Sequence, residues 1–331
     1  MKTIIALCTR ARQSRKSDAR LRCEASWLWH EATSIDLHSM RQCVMDTIIC
    51  SRVNESFTMR LFDTANTDMT DPTPHVPHVH HAASEGYTKG ADTYVKGRPD
   101  YPPELAGWLK GELALGPGKT AVDLGAGTGK FTPRLVETGA SVIAVEPVAQ
   151  MREKIAAALP QVDVREGTAQ CLPFADASID AVLCAQSFHW FATPAALAEI
   201  RRVLKPGGHL GLVWNVRDAR VPWVERLDAI VNAREGDAPR YHTGEWRKVF
   251  PSEGFGNLEE RHMPHGHTGS VEDVIVTRVH STSFILALPP EAWAQVEREV
   301  RALIASEPAL AAHDTVTVPY VTYAFRLTRV G

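Results

Sequence analysis

The stretch AVDLGAGTGKF, residues 121–131, holds the residue types best able to do chemistry in this chain. An apolar run reaches a carboxylate, Asp123, and glycine then recurs at every second position, Gly125, Gly127 and Gly129, before Lys130. Bare backbone at that spacing can approach a triphosphate, a dinucleotide, or a ligand with no phosphate at all. A Walker-type loop needs glycine five residues before its Gly-Lys pair and Ser or Thr after it, and here those places hold Leu124 and Phe131. The dinucleotide fingerprint keeps a third glycine where this chain has Lys130, which weakens that reading. Downstream, VIAVEP carries Glu146, 17 residues beyond Gly129. A carboxylate at a strand's C-terminal edge can accept hydrogen bonds from both hydroxyls of a ribose, so any adenosine cofactor would suit this pair of motifs.

Further chemistry-bearing residues follow later apolar runs. AQSFHWF places His189 and Trp190 just beyond one run, and WNVRD places Trp214, Asn215 and Arg217 at the end of the next. His262, His265 and His267 have a spacing that suggests zinc at first sight. Surface histidines at a loop-rich strand end are the simpler reading, and no metal site is expected. His75, His78, His80 and His81 stand on a proline-broken connector and read as solvated linker.

These residues need a scaffold, and the periodicity supplies one. AVDL, SVIAVEP, VDVREG, IDAVLCAQ and HLGLVWN read as short apolar strands, separated by the helical segments FTPRLVETG, AQMREKIAAAL and TPAALAEIRRVLKPGG. Alternating strand and helix predicts a parallel sheet covered on both faces. In LKPGG, Pro206 and Gly207 are expected to stop the helix and turn the chain back. NLEERHMPHG reads as a sixth strand and TVPYVTYAFRLTRV as the closing one, with two segments between them forming a cap over about 265–312. Residues 1–85 lack persistent periodicity and end in a Pro/His/Ser-rich connector, so they read as a poorly structured tail before a domain at 86–331.

Composition limits the partners. The 331 residues carry a net charge of −3 with no basic stripe, so nucleic acid is not expected and a small molecule is. No apolar stretch approaches the roughly 20 residues of a membrane span, and the start MKTIIALCTR is interrupted by Arg10 and Arg12, so a cytoplasmic location is expected. The six cysteines show no metal-type spacing.

Taken together and in order, VDLGAGTGKF, VIAVEP, GTAQCLPFADASIDAVLCAQ and RVLKPGGHLGLVW resemble the class I S-adenosylmethionine-dependent methyltransferases over roughly residues 87–331. That resemblance implies a Rossmann-like seven-stranded sheet, mostly parallel with an antiparallel last strand, and S-adenosylmethionine as cofactor. It implies that Asp123, Gly125, Ala126, Gly127 and Gly129 surround the methionine part, that Glu146 holds the ribose, and that Thr168, Ala169 and Gln170 border the adenine, with Gln186 facing the same crevice. Many members have Asp where this chain has Thr168. YVKGRPDYPPEL and AQSFHWF further resemble the trans-aconitate methyltransferase-like subgroup acting on small molecules, which places Tyr94, Arg98 and Tyr101 on a segment folding over the cofactor. Arg98 would pair with the cofactor's carboxylate.

Methyl transfer from a sulfonium is an in-line displacement in which alignment and water exclusion are the protein's main contributions. A carboxylate acceptor needs no base, whereas a phenol, alcohol or amine benefits from one, and His189 is the candidate. Trp190, Trp214, Arg217 and Tyr101 are the expected substrate residues, Arg217 receiving an acid. No Asn/Asp-Pro-Pro-Tyr motif follows the fourth strand, so amino groups of adenine or glutamine are not expected acceptors. The expected activity is methylation of a small molecule, with O-methylation of a carboxylic acid placed first. The alternatives are a non-catalytic cofactor-binding protein of the same fold and, further off, a NAD-dependent oxidoreductase.

Overall fold

The computed structural model describes residues 97–331, which fall within one unit of the chain, Pro74–Gly331. The expectations for residues 1–85, including the histidine-rich connector, and for Tyr94 lie outside the described residues.

After a strap at 97–103, helix α1 (Glu104–Gly111) buries Leu105, Trp108 and Leu109, spaced three and four apart as one helical face requires. Strand β1 (Thr120–Leu124) leads through the glycine loop to α2 (Thr132–Val136), β2 (Ser141–Val145), α3 (Ala149–Ala158), β3 (Asp163–Arg165) and β4 (Ile179–Ala185). Then come α4 (Pro194–Val203), β5 (Leu204–Arg217), α5 (Pro222–Asn232), β6 (Glu259–Ser270), α6 (Pro290–Ser306) and β7 (Thr315–Thr328). Helix α4 starts where Thr193 Oγ1 accepts the Ala196 N–H at 3.2 Å, with Pro194 in the first turn, and it buries Ala196, Leu197, Ile200 and Val203.

The seven strands run in the order β3-β2-β1-β4-β5-β7-β6. The first five are parallel; β7 runs antiparallel to both neighbours. The expected Rossmann-like sheet is therefore present. One apolar cluster joins the strands to α1, α2 and α3 on one face, and another joins them to α4 and Trp246, Phe255 and Phe325 on the other. Strand order reverses between β1 and β4, so their C-terminal loops open one crevice, the place where such sheets bind ligands.

Two boundaries differ from the sequence expectation. The helix before β5 ends at Val203, and LKPGG belongs to β5. Leu204 pairs with Ile179 and His209 with Ala181, so the extra residues form a bulge, and Gly207 supplies its positive φ of 75°. The periodicity of AALAEIRRV runs into that bulge without a break, which is why it read as helix to the end. The cap also starts later than 265, because β6 pairs with β7 through Ser270. It draws on α5 as well: Trp223, Val224, Leu227 and Val231 pack with Val296, Val300 and Leu303 of α6 and with Val274, Ile275 and Val279.

Candidate active site

The glycine loop owes its form to three left-handed residues, with φ of 69° at Gly125, 59° at Gly127 and 80° at Gly129. The N–H groups of Gly125 and Ala126 donate to Val145 O at 2.8 and 3.2 Å, which folds the loop over the end of β2. A Cβ on Gly125 would stand 2.8 Å from Ser187 Cβ, whereas one on Gly127 would meet nothing within 4 Å. The second glycine thus leaves bare backbone facing open space.

Glu146 clamps this loop. Its Oε2 accepts the Gly127 N–H at 2.9 Å and its Oε1 accepts the Val148 N–H at 3.0 Å, leaving each oxygen a further lone pair. Burial raises its pKa, opposed by those two amides and by Arg152. Asp123 is 1% exposed near the end of β1. Its Oδ2 accepts from Thr132 Oγ1 at 2.7 Å, while its Oδ1 is buried with no partner. Burial pushes the Asp123 carboxyl up to about 7; the Thr132 hydrogen bond opposes this and the Glu146 charge adds to it.

Thr168 and Cys171 exchange backbone hydrogen bonds at 3.3 and 3.0 Å, making the turn that carries Ala169 and Gln170. Ala169 packs into the core, so only its backbone can meet a ligand. Thr168 Oγ1 is buried without a partner. Two orphaned buried oxygens, a carboxylate with spare lone pairs and an open glycine are what a ligand bearing an ammonium, a ribose and an aromatic base would satisfy. The residues present fit S-adenosylmethionine.

A second space, a chamber, lies at the ends of β4, β5 and β7 under the cap. Gln186 enters it in a left-handed conformation (φ 58°) that is uncommon for a residue with a side chain. Its N–H donates to Val213 O at 2.8 Å and its Nε2 to Asn215 O at 3.0 Å, tying the ends of β4 and β5 together. Asn215 then donates to Asp100 O at 3.1 Å, latching the strap, and accepts from Thr322 Oγ1 at 2.5 Å.

Four guanidiniums line the chamber, Arg98 from the strap, Arg217 from β5, Arg240 from the loop after α5 and Arg278 from the cap; Asp228 is the one carboxylate among the described lining residues. Arg217 pairs with Asp228 at 2.5 Å, yet its Nη1 is buried with no partner. Arg278 donates to Thr282 Oγ1 at 3.2 Å and leaves its Nε buried without one. Burial and the neighbouring Arg98 pull the Arg278 guanidinium down to about 9. Arg98 donates to Ser281 O at 3.2 Å, and Arg240 lies 4.7 Å over the Phe284 ring. Tyr320, paired with Arg217 across β5 and β7, adds a buried hydroxyl that interacts with that guanidinium.

Several expectations change here. His189 Nδ1 accepts the Trp214 Nε1–H at 3.1 Å, so its lone pair is engaged. Burial, with Arg240 and Arg98 nearby, pulls its pKa down to about 3. A group in that state is a poor proton acceptor. Trp214 is 0% exposed and packs against Trp246 (4.5 Å between centroids), Tyr241 (5.1 Å) and Phe325 (5.7 Å), and it borders the chamber at the end of β5 beside His189. Tyr101 packs edge-on against Phe131 at 5.0 Å beside the glycine loop and does not line the chamber. Gln186 and Arg98, expected at the cofactor, both line the chamber. Trp190 and Arg217, expected at the substrate, line it too. His265 and His267 are half-buried within β6, with Tyr320 nearby, and are not at a loop end.

Sequence reading missed Arg240, Arg278, Asp228 and Tyr320. A cation inside the apolar run VIVTRV was a signal for Arg278; the others carry no local pattern, because they meet only in the folded chain.

The fold and the site define an α/β protein with a glycine-loop crevice beside a cationic chamber. A family profile described as "Methyltransferase domain" matches residues 122–212. The protein named uncharacterized methyltransferase-like C25B8.10 of Schizosaccharomyces pombe is 40% identical over 70% of this chain and 91% of its own length. Uncharacterized methyltransferase Mb3374 of Mycobacterium bovis is 41% identical over 71% of this chain and 92% of its own length. Among solved structures, the YcgJ protein of Bacillus subtilis is 16% identical with a TM-score of 0.46, over 68% of this chain and 98% of that one. The chain belongs to the methyltransferase family.

Proposed function

We propose that this methyltransferase uses S-adenosylmethionine to methylate a small acidic molecule on a carboxylate oxygen. The observation that carries the reading is the pair of enclosed guanidiniums, Arg217 and Arg278, each with a buried N–H unsatisfied in a chamber that borders the cofactor crevice at Gln186. A buried cation lacking full pairing is costly, and an anionic ligand relieves that cost. Asp123 and Glu146 flank the glycine loop with two carboxyls, which suits the ammonium and ribose of S-adenosylmethionine better than a pyrophosphate.

Held by Asp123, the glycine loop and Glu146, the cofactor would supply an electrophilic methyl group for in-line displacement from its sulfonium sulfur, the sulfur keeping the electron pair of the broken bond. The protein's part is to hold the acceptor in line and keep water out. Arg217 and Arg278 orient the carboxylate through one oxygen and leave the other to attack. The absence of a proton acceptor at His189 favours an acceptor already ionised at neutral pH over a phenol or amine. A cytoplasmic location belongs to the same reading; among the described residues no helix is long and apolar enough to cross a membrane.

The test is calorimetry with S-adenosylmethionine, its demethylated product and NAD, followed by a radiolabelled-methyl screen of small acids and phenols. The expected result is binding of the first two and a base-labile methyl ester on an acid. Binding of S-adenosylmethionine without transfer would identify a non-catalytic member of the fold, and binding of NAD alone would overturn the cofactor.

A further inference from the structure

We infer that Trp214 is a positioning residue that fixes His189 as a neutral Nε2–H donor, and that this N–H holds the acidic substrate without offering a site for its proton. The inference rests on the proposed anionic acceptor and assigns two residues of the same chamber a role toward it.

The geometry allows one proton arrangement. An indole N–H can only donate, so the 3.1 Å contact from Trp214 Nε1 makes His189 Nδ1 the acceptor. A neutral imidazole carries one proton, which then sits on Nε2. Neither ring is free to choose otherwise. Trp214 is fully buried in β5, between paired strands and among Trp246, Tyr241 and Phe325. His189 is held in the short helical turn Phe188–Trp190, tilted against the Trp190 ring at 5.2 Å between centroids.

The surroundings keep the imidazole neutral. Arg240 and Arg98 face it from the loop after α5 and from the strap, and both oppose a second positive charge, in addition to burial. Arg217, neutralised by Asp228 of α5, and Arg278 of the cap stand on the same walls. The remaining titratable groups there are Tyr241, whose phenol burial pushes up, Tyr320 of β7, and His242, whose Nε2 lies 3.3 Å from Glu235. Asp228 is the carboxylate on this wall among the described residues, and it is already taken by Arg217.

The consequence is a specificity device. A protonated imidazole would hold the carboxylate as an ion pair and draw electron density from the attacking oxygen; a free Nδ1 would accept the proton of a phenol or amine. Fixed as an Nε2–H donor, His189 does neither, and the chamber admits acceptors that arrive already ionised.

The first test needs no variant. Nitrogen-resolved NMR of the His189 ring in the full chain is expected to show the Nε2–H tautomer and no titration between about pH 5 and 9. A ring protonated on Nδ1, or one titrating near 6.5, overturns the inference. In kinetics with the acid found by the methyl screen, Trp214→Phe is expected to raise KM about tenfold or more with a smaller change in kcat, and in the NMR measurement to let the ring populate the Nδ1–H tautomer. His189→Gln keeps an N–H near the ε position and is expected to retain most of the affinity that His189→Ala loses. Equal losses in the two His189 variants would overturn the donor role. A failure of all acids as acceptors would sink the proposed function, while the tautomer measurement stands apart from it.

Discussion

Asp123 and Glu146 set the chemistry at the residue scale. The folded pKa of Asp123, about 7, lies above its ordinary 3.8, so between those values the folded chain holds a proton that the unfolded chain has lost. The group therefore opposes folding increasingly as pH rises from about 4 to 7, at a cost on the order of 4 kcal/mol once fully ionised. Without ligand, Asp123→Asn is expected to gain in Tm over the unsubstituted protein as pH rises from about 5 to 8; parallel Tm curves would reject the assignment. An ammonium on the ligand prefers the ionised carboxylate, so S-adenosylmethionine affinity should rise over the same window. Calorimetry in buffers of different ionisation enthalpy should detect a proton released on binding near pH 6.5. Glu146→Ala removes charge-assisted acceptors and is expected to weaken cofactor binding by about 1.5–3 kcal/mol; an unchanged affinity would mean that the ribose is held elsewhere. Both carboxylates were legible in the sequence because each sits one step from a strand end. The burial that moves Asp123 so far, with a smaller contribution from the Glu146 charge, was not, since it depends on the loop folding over β2.

At the scale of elements, the glycine loop separates two requirements that look alike in sequence. Gly125 and Gly127 both adopt φ values that cost an L-residue roughly 1–2 kcal/mol, but only Gly125 is also crowded, by Ser187. Gly125→Ala is therefore expected to lower Tm strongly. Gly127→Ala should lower it by only a few degrees and yet abolish most cofactor affinity, because the new methyl group points into the space a ligand needs. Similar losses of stability in both variants, measured by thermal unfolding and calorimetry, would show that the open space at Gly127 is not a ligand site. The five parallel strands were readable from short apolar runs and their spacing, and the closing pair followed from the resemblance. The LKPGG bulge was not, because helical periodicity and a bulged strand entry both tolerate the sequence up to Val203, and the choice is made by pairing with Ile179 and Ala181.

At the scale of the whole molecule, charge is unevenly placed. The chain is net negative, yet the chamber gathers four guanidiniums from the strap, β5, the loop after α5 and the cap. Such a focused positive field attracts small anions and is screened as the Debye length falls from about 10 Å at 0.1 M salt to about 3 Å at 1 M. The kcat/KM for an acidic substrate should fall across that range through KM, with kcat little changed. A flat salt response would argue that the guanidiniums serve the cap's packing and not substrate capture.

The sequence by itself determined the sheet, the glycine loop and the acidic residue after β2, because left-handed backbone, strand alternation and strand-end position are local demands that residue type satisfies. Only the tertiary structure decided what the chamber is. Arg98, Arg217, Arg240, Arg278 and Tyr320 are far apart in the chain and share no spacing rule; packing of the strap and cap onto the ends of β4, β5 and β7 brings them together. The same packing sets Trp214 Nε1–H against His189 Nδ1, and a proton's place on a ring is set by its neighbours in space and not by those in sequence.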